Sequence, residues 1–265
     1  MLEILLVINS LGMLLLPLIA AFYFSRKLKL SWKLFLAGAL TFIASQVLHI
    51  PLVLALNSSL QSLNIVISAI VLGLLAGLFE ETARYFLYKF ILKKTRTWNE
   101  GVYVGIGHGG VEAILLGVIT LLTFVNMLAY RNMDLSTVPS IPAEQVELAT
   151  QQVKEYWSTP AHMAILGLVE RIFAMTLHVA LSLMVLYGLV TKNKVWFWLA
   201  VLWHTIVDAL AVYLVQKIDM LALEGIIGIC AVISLFIIFW IKPKFAEALN
   251  VQAQSQLEET GAGAG

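Results

Sequence analysis

Seven long apolar runs separated by short polar stretches dominate the chain, at about residues 3–24, 34–56, 64–92, 101–129, 161–190, 195–215 and 223–241. Each is close to or above the roughly 20 residues that a helix needs to cross a hydrocarbon core of about 30 Å. The pattern therefore predicts an all-α, polytopic membrane helix bundle of about seven transmembrane helices. Basic residues alternate between the connections. Arg26, Lys27, Lys29 and Lys33 follow the first run, Lys93, Lys94 and Arg96 the third, Lys192 and Lys194 the fifth, and Lys242 and Lys244 the seventh. The other connections carry only Arg131, Lys154 and Lys217, among acids such as Asp134, Glu144, Glu147, Glu155, Asp219 and Glu224. Since Lys- and Arg-rich loops stay on the cytoplasmic side, this predicts an N-terminus outside and a C-terminus in the cytoplasm.

Composition agrees with the pattern: 60% of the residues are hydrophobic and 12% charged, against roughly 45–50% and 25% in soluble proteins. A net charge of +1 argues against a nucleic-acid partner. The single cysteine, Cys230, has no partner for an intrachain disulfide. Met1, Leu2 and Glu3 lead straight into the first run with no basic segment before it, which reads as an uncleaved span. The organisation predicted is one transmembrane domain over residues 1–245, with an extracytoplasmic loop at about 130–160 and a disordered cytoplasmic tail over 246–265. After Pro142, the residues Val146, Ala149, Val153 and Trp157 recur at helical spacing. They fit either a short amphipathic helix on the bilayer surface or an ordinary loop.

Three polar patches interrupt the apolar runs: Glu80-Glu81-x-x-Arg84, Gly107-His108-Gly109-Gly110-x-Glu112 and His204-x-x-x-Asp208, with His178 alone on the fifth run. Charge and imidazole at membrane depth are costly unless they meet one another or water, so they mark a site or a set of helix-locking polar pairs. At 1.5 Å per helical residue from the predicted cytoplasmic ends, His108 lies about 10 Å deep, His204 about 14 Å, Glu112 about 16 Å, Glu80 and His178 about 18 Å and Asp208 about 20 Å. Four helices thus place these groups in one slab. Either glutamate of the doublet is spaced to pair with Arg84, and His108–Glu112 and His204–Asp208 are spaced for intrahelical pairing. Five acids (Glu80, Glu81, Glu112, Glu170, Asp208) face two arginines (Arg84, Arg171). Protonation, imidazolium formation, a bound cation or water must offset the excess. His108, His178 and His204 could hold zinc with an open position, or hold a water directly. Gly105, Gly107, Gly109 and Gly110 predict open space beside His108 for a chain-shaped substrate. His49 and His162 lie near predicted outer ends, where no catalytic role is expected, and Gln46 and Asn126 read as interhelical hydrogen-bond partners.

Together, in this order on successive helices, these motifs resemble the YhfC family of bacterial intramembrane proteases, which is related to the CAAX prenyl endopeptidases, the bacteriocin-processing enzymes and the PrsW proteases. The resemblance covers about residues 64–215. It implies an integral protein of the bacterial plasma membrane that hydrolyses a peptide bond in a membrane-associated peptide or protein. Glu80 would activate the water, His108 would position it, Glu81 and Arg84 would orient the base, and His178 is the further histidine of this branch. His204 and Asp208 match the positions that stabilise the oxyanion in the prenyl endopeptidases. Thr82 and Ala83 alone separate the doublet from Arg84, and Val104 stands where the prenyl endopeptidases have Phe, so prenylated substrates are not expected. The chemistry is coherent without the family: a carboxylate in a low-dielectric slab suits a general base, and imidazoles supply donors for an oxyanion. A catalytically silent scaffold or immunity protein, and a proton-coupled or cation transporter, are the readings from other classes.

Overall fold

The computed structural model describes residues 1–262. It consists of the helices α1 (Leu2–Leu28), α2 (Trp32–Ser62), α3 (Ile65–Phe86), α4 (Trp98–Tyr130), α5 (Val146–Trp157), α6 (Leu166–Val190), α7 (Val195–Leu214) and α8 (Met220–Ala262), with no strand among the described residues. Seven of them are long and apolar enough to cross a membrane, each overlapping a predicted run. The eighth, α5, is a short helix after Pro142 with the helical spacing of Val146, Ala149, Val153 and Trp157. Its Tyr156 and Trp157 pack beside Leu6 of α1 and Phe124 of α4. The Trp157 indole donates to the Met127 carbonyl at 3.0 Å.

Helix starts follow ordinary capping chemistry. The Ser31 and Asn64 side chains accept from the backbone N–H groups of Lys33 and Val66, and Thr97 with Glu100 forms a reciprocal capping box at the start of α4. Beyond Phe86, α3 widens into a π turn over Leu87–Ile91, closed by a 2.8 Å bond from Leu92 N–H to the Leu87 carbonyl. That turn carries the fully buried Tyr88, whose hydroxyl lies 2.6 Å from Ser182 Oγ, while Ser182 donates to the Gly101 carbonyl. Ser182 is therefore consumed in joining α3, α4 and α6. The final helix continues to Ala262, past Ala246 where the sequence predicts an irregular tail; residues 263–265 lie outside the described residues.

The bundle is arranged inside out relative to a soluble protein. Large apolar residues such as Leu40, Leu54, Ile119 and Phe236 face outward, while Glu81, Arg84 and His108 are completely buried. Lipid tails are as apolar as leucine, so helices gain little by burying leucine against leucine and associate instead through close packing and polar contacts. Glycine supplies the closeness. A Cβ on Gly107 of α4 would stand 2.1 Å from the Phe35 carbonyl oxygen of α2, and one on Gly105 would stand 2.6 Å from Val179 Cα of α6. Gly109 and Gly110 are likewise packed, against Met175 and Pro17. The expected open space beside His108 is thus filled by neighbouring helices, because these glycines let α4 sit deep between α1, α2 and α6. Gly107→Ala, which must push two backbones apart, is expected to cost about 3 kcal/mol or more of stability. Gly225→Ala, inside α8 with nothing within 4 Å, should keep or raise the thermal midpoint. Equal midpoints for the two variants would contradict this packing.

Candidate active site

The polar patches meet in the middle of the bundle, and every bond between them can be followed from α3. Glu80 and Glu81 are adjacent and project to different neighbours, because successive residues on a helix are rotated by about 100°. Glu81, fully buried, receives the guanidinium of Arg84 one turn on, and its Oε1 also lies 2.8 Å from His204 Nδ1 of α7. A carboxylate accepts, so His204 carries its proton on Nδ1 and turns Nε2 inward, 3.9 Å from Glu80 Oε2 and 3.5 Å from Asp208 Oδ2. Arg84 Nη2 donates to His178 Nδ1 of α6 at 2.7 Å. Arginine can only donate, so Nδ1 of His178 is the accepting nitrogen, and its Nε2–H points to Glu112 Oε2 of α4 at 2.6 Å. Glu80 is gripped at both oxygens: Gln46 of α2 donates to Oε1 at 3.0 Å, and His108 Nε2 of α4 lies 3.0 Å from Oε2.

All eight residues singled out in the sequence, Glu80, Glu81, Arg84, His108, Glu112, His178, His204 and Asp208, therefore belong to one connected cluster drawn from α3, α4, α6 and α7. The local pairing differs from the expectation in one case. His108 and Glu112 do not pair along α4: α3 takes His108 through Glu80, and α6 takes Glu112 through His178 and Arg171. Arg171, counted in the sequence only toward the charge balance, donates to Glu112 Oε1 at 2.7 Å and also pairs with Glu170. Two residues set aside in the sequence form an outer layer on α2. Gln46 is the interhelical partner expected, but its partner is Glu80, and His49 Nδ1 lies 3.0 Å from Gln46 Oε1. Their spacing of three on one helix face was the available signal. Glu224, assigned to a loop, is buried near the start of α8 with one oxygen unpartnered.

A cavity of about 110 Å³ opens onto the cluster, lined by Glu80, Glu112, His178, His204 and Asp208 and walled on one side by Ile227, Cys230 and Ala231 of α8. Asp208 also lines a second cavity of about 290 Å³, which it shares with His49 and Val53. It is the acid common to both. Glu81 and Arg84 line neither.

One group among the described residues is close enough to hold a single metal ion: Glu80, His178 and His204, whose ligand atoms lie within 4.8 Å of one another. In tetrahedral zinc, ligand atoms about 2.0–2.1 Å from the ion stand about 3.4 Å from one another, so the group would close by about 1 Å around an ion. It contains Glu80 where the sequence pointed to His108. The donor chemistry fits, since two imidazoles and a carboxylate are a common metal set. The surroundings fit as well: each of these imidazoles gives its other N–H to a carboxylate, His204 to Glu81 and His178 to Glu112, the arrangement that fixes tautomers in metal sites. An ion on His178 Nδ1 would take the place of its hydrogen bond from Arg84.

Fold and site define a multi-pass integral membrane protein, in contact with the lipid bilayer along its apolar outer faces, with an acid–imidazole–guanidinium centre held between its helices. The YhfC intramembrane metalloprotease family matches residues 12–231, and the chain belongs to that family. It is 31% identical over 238 residues to an uncharacterised membrane protein YhfC of Bacillus subtilis (strain 168), covering 86% of this chain and 90% of the relative. No solved structure gives a significant match. Membership makes membrane proteolysis the class of activity indicated, and the buried Glu80, His178 and His204 group has the chemistry to hold the metal that the family's description carries.

Proposed function

We propose that the chain is an intramembrane endopeptidase that hydrolyses a peptide bond of a membrane-associated substrate at the cavity beside Glu80. The observation that carries this reading is the convergence of Glu80, His178 and His204 on a cavity large enough for water, with carboxylates behind both imidazoles. These three residues would hold a divalent ion, for which zinc is the choice that suits two nitrogens and one oxygen. Such an ion, when bound, supplies Lewis acidity toward a peptide carbonyl and lowers the pKa of water.

The remaining roles belong to the chain. Gln46 and His108 hold the two oxygens of Glu80, so its carboxylate is oriented before any substrate arrives. Glu81 and Glu112 fix the two imidazoles, and Arg84 offsets the charge of Glu81 in a setting with no solvent. Sequence resemblance points to Glu80 as the water-activating base; with Glu80 in the ion-holding group and both Glu112 and Glu170 paired with Arg171, the cavity acid left without an arginine partner is Asp208. Its position between the two cavities suits it to take a proton from an entering water and return it to the leaving amine. A volume of about 110 Å³ accommodates a few waters and no peptide. Substrate access therefore requires the surrounding helices to part, and α8, tied to α7 by a 3.0 Å bond from the Trp203 indole to Ser234 Oγ, is the wall proposed to move. The basic connections set the N-terminus outside and the C-terminus in the cytoplasm in this account. The test is reconstitution of the purified chain in vesicles with a library of single-span membrane peptides. New peptide termini within the membrane-embedded segments are expected in products read by mass spectrometry, and vesicles that pass ions but cleave nothing would favour the transporter reading.

A further inference from the structure

A groove runs along the face of the bundle away from the polar cluster. Its walls are α1 and α8, which share no substantial packing, and its floor is α4 and α6. It encloses about 580 Å³, and its sides are apolar for most of their length, with Leu16 and Ala20 on α1, Ile106 on α4 and Met175 on α6 among them. One end is different. There Lys27 of α1 and Lys242 of α8 flank the opening together with Trp98 and Asn99, and no acidic side chain among the described residues lines the groove. Trp98 is fixed in place: its indole donates to the Ile238 carbonyl at 2.9 Å, and the Lys242 ammonium lies 4.6 Å above its ring.

Length and charge together select an occupant. From Leu16 to Leu28 the groove follows α1 for about 18 Å at 1.5 Å per residue, roughly half of a hydrocarbon core of about 30 Å. It is therefore as deep as one leaflet, apolar through that leaflet and cationic at the level where headgroups lie. Basic pockets between membrane helices recognise anionic headgroups, and tryptophan concentrates at the same level. The groove does not communicate with the candidate active site, since Met175 and Val179 face it while His178 faces the polar cavity. A substrate has no reason to be there, and a structural lipid does.

We infer that this groove binds one anionic phospholipid, with an acyl chain between α1 and α8 and the phosphate between Lys27 and Lys242. Both lysines are exposed, so removing their charge leaves the core intact. The test is native mass spectrometry of the full-length chain in detergent with added phosphatidylglycerol, phosphatidylcholine or soluble glycerophosphate. Wild type is expected to retain one phosphatidylglycerol in preference to phosphatidylcholine. Lys27→Gln/Lys242→Gln should bind it about 30-fold more weakly, at roughly tenfold for each 1.4 kcal/mol and about 1 kcal/mol for each lysine. Ala20→Phe, which fills the apolar stem and keeps both charges, should also lower retention. Equal binding of the two lipids, unchanged retention in both variants, or displacement of the lipid by glycerophosphate would overturn the inference.

Discussion

Glu80→Gln is expected to reduce peptide cleavage by about 10³-fold or more, without loss of folded protein. The glutamine is isosteric and can still meet Gln46 and His108, so helix packing around it is preserved. It loses the negative charge that makes the residue useful either as a ligand or as a proton acceptor, and positioned acid–base groups alone are worth roughly 10²–10⁴ in rate. Asp208→Asn separates the two roles. Its expected loss is about 10²-fold in rate, with any bound metal retained, because Asp208 lies outside the group that could hold an ion. Cleavage kinetics in vesicles and thermal midpoints, measured on the same preparations, check both variants. Wild-type rates for Glu80→Gln would remove Glu80 from the mechanism.

Arg84→Met carries the largest expected effect on stability. Arg84 and Glu81 are both completely inaccessible, and the guanidinium also serves His178 and stands 3.8 Å from Glu80. Taking away one member of such a pair leaves a charge buried without compensation, which typically costs 3–5 kcal/mol. That corresponds to a fall of about 10 °C in the thermal midpoint for a domain of this size. Arg84→Met combined with Glu81→Gln removes both charges and should recover more than half of the loss. A double variant no more stable than Arg84→Met would mean that the pair is not what Arg84 contributes. The cost follows from burial, since the same pairing on a solvated surface is worth only about 0–1 kcal/mol.

These two residues also show how far the sequence could be read. Hydropathy runs and basic loops were sufficient for seven spanning helices, because membrane length and backbone satisfaction leave few other choices. Convergence of Glu80, His108, His178 and His204 was legible from depth alone, since groups in one slab of a narrow bundle have little room to avoid each other. Which of them touch was not. Glu112 is four residues from His108, yet partners on α6 take it, because a residue's rotation about its helix axis and its neighbours' faces decide the bond. For the same reason the metal-sized group holds Glu80 in place of His108. The position of His49 near a predicted helix end gives no sign of a role, and the structure joins it to the site through Gln46. The glycines around His108 carry two physical meanings, open space and close approach, and spacing alone does not distinguish them. Contact of Gly107 with the Phe35 carbonyl does.

Proteolysis by the proposed route needs Glu80, His178 and His204 to act as one ion-holding centre. Metal content of the purified chain, measured by mass spectrometry beside His178→Ala, His204→Ala, His108→Ala and His162→Ala, addresses it directly. One equivalent of zinc is expected in wild type, lost in the His178 and His204 variants and kept in the His162 and His108 variants. Zinc retained after loss of both His178 and His204, or absent from active wild-type protein, would contradict it.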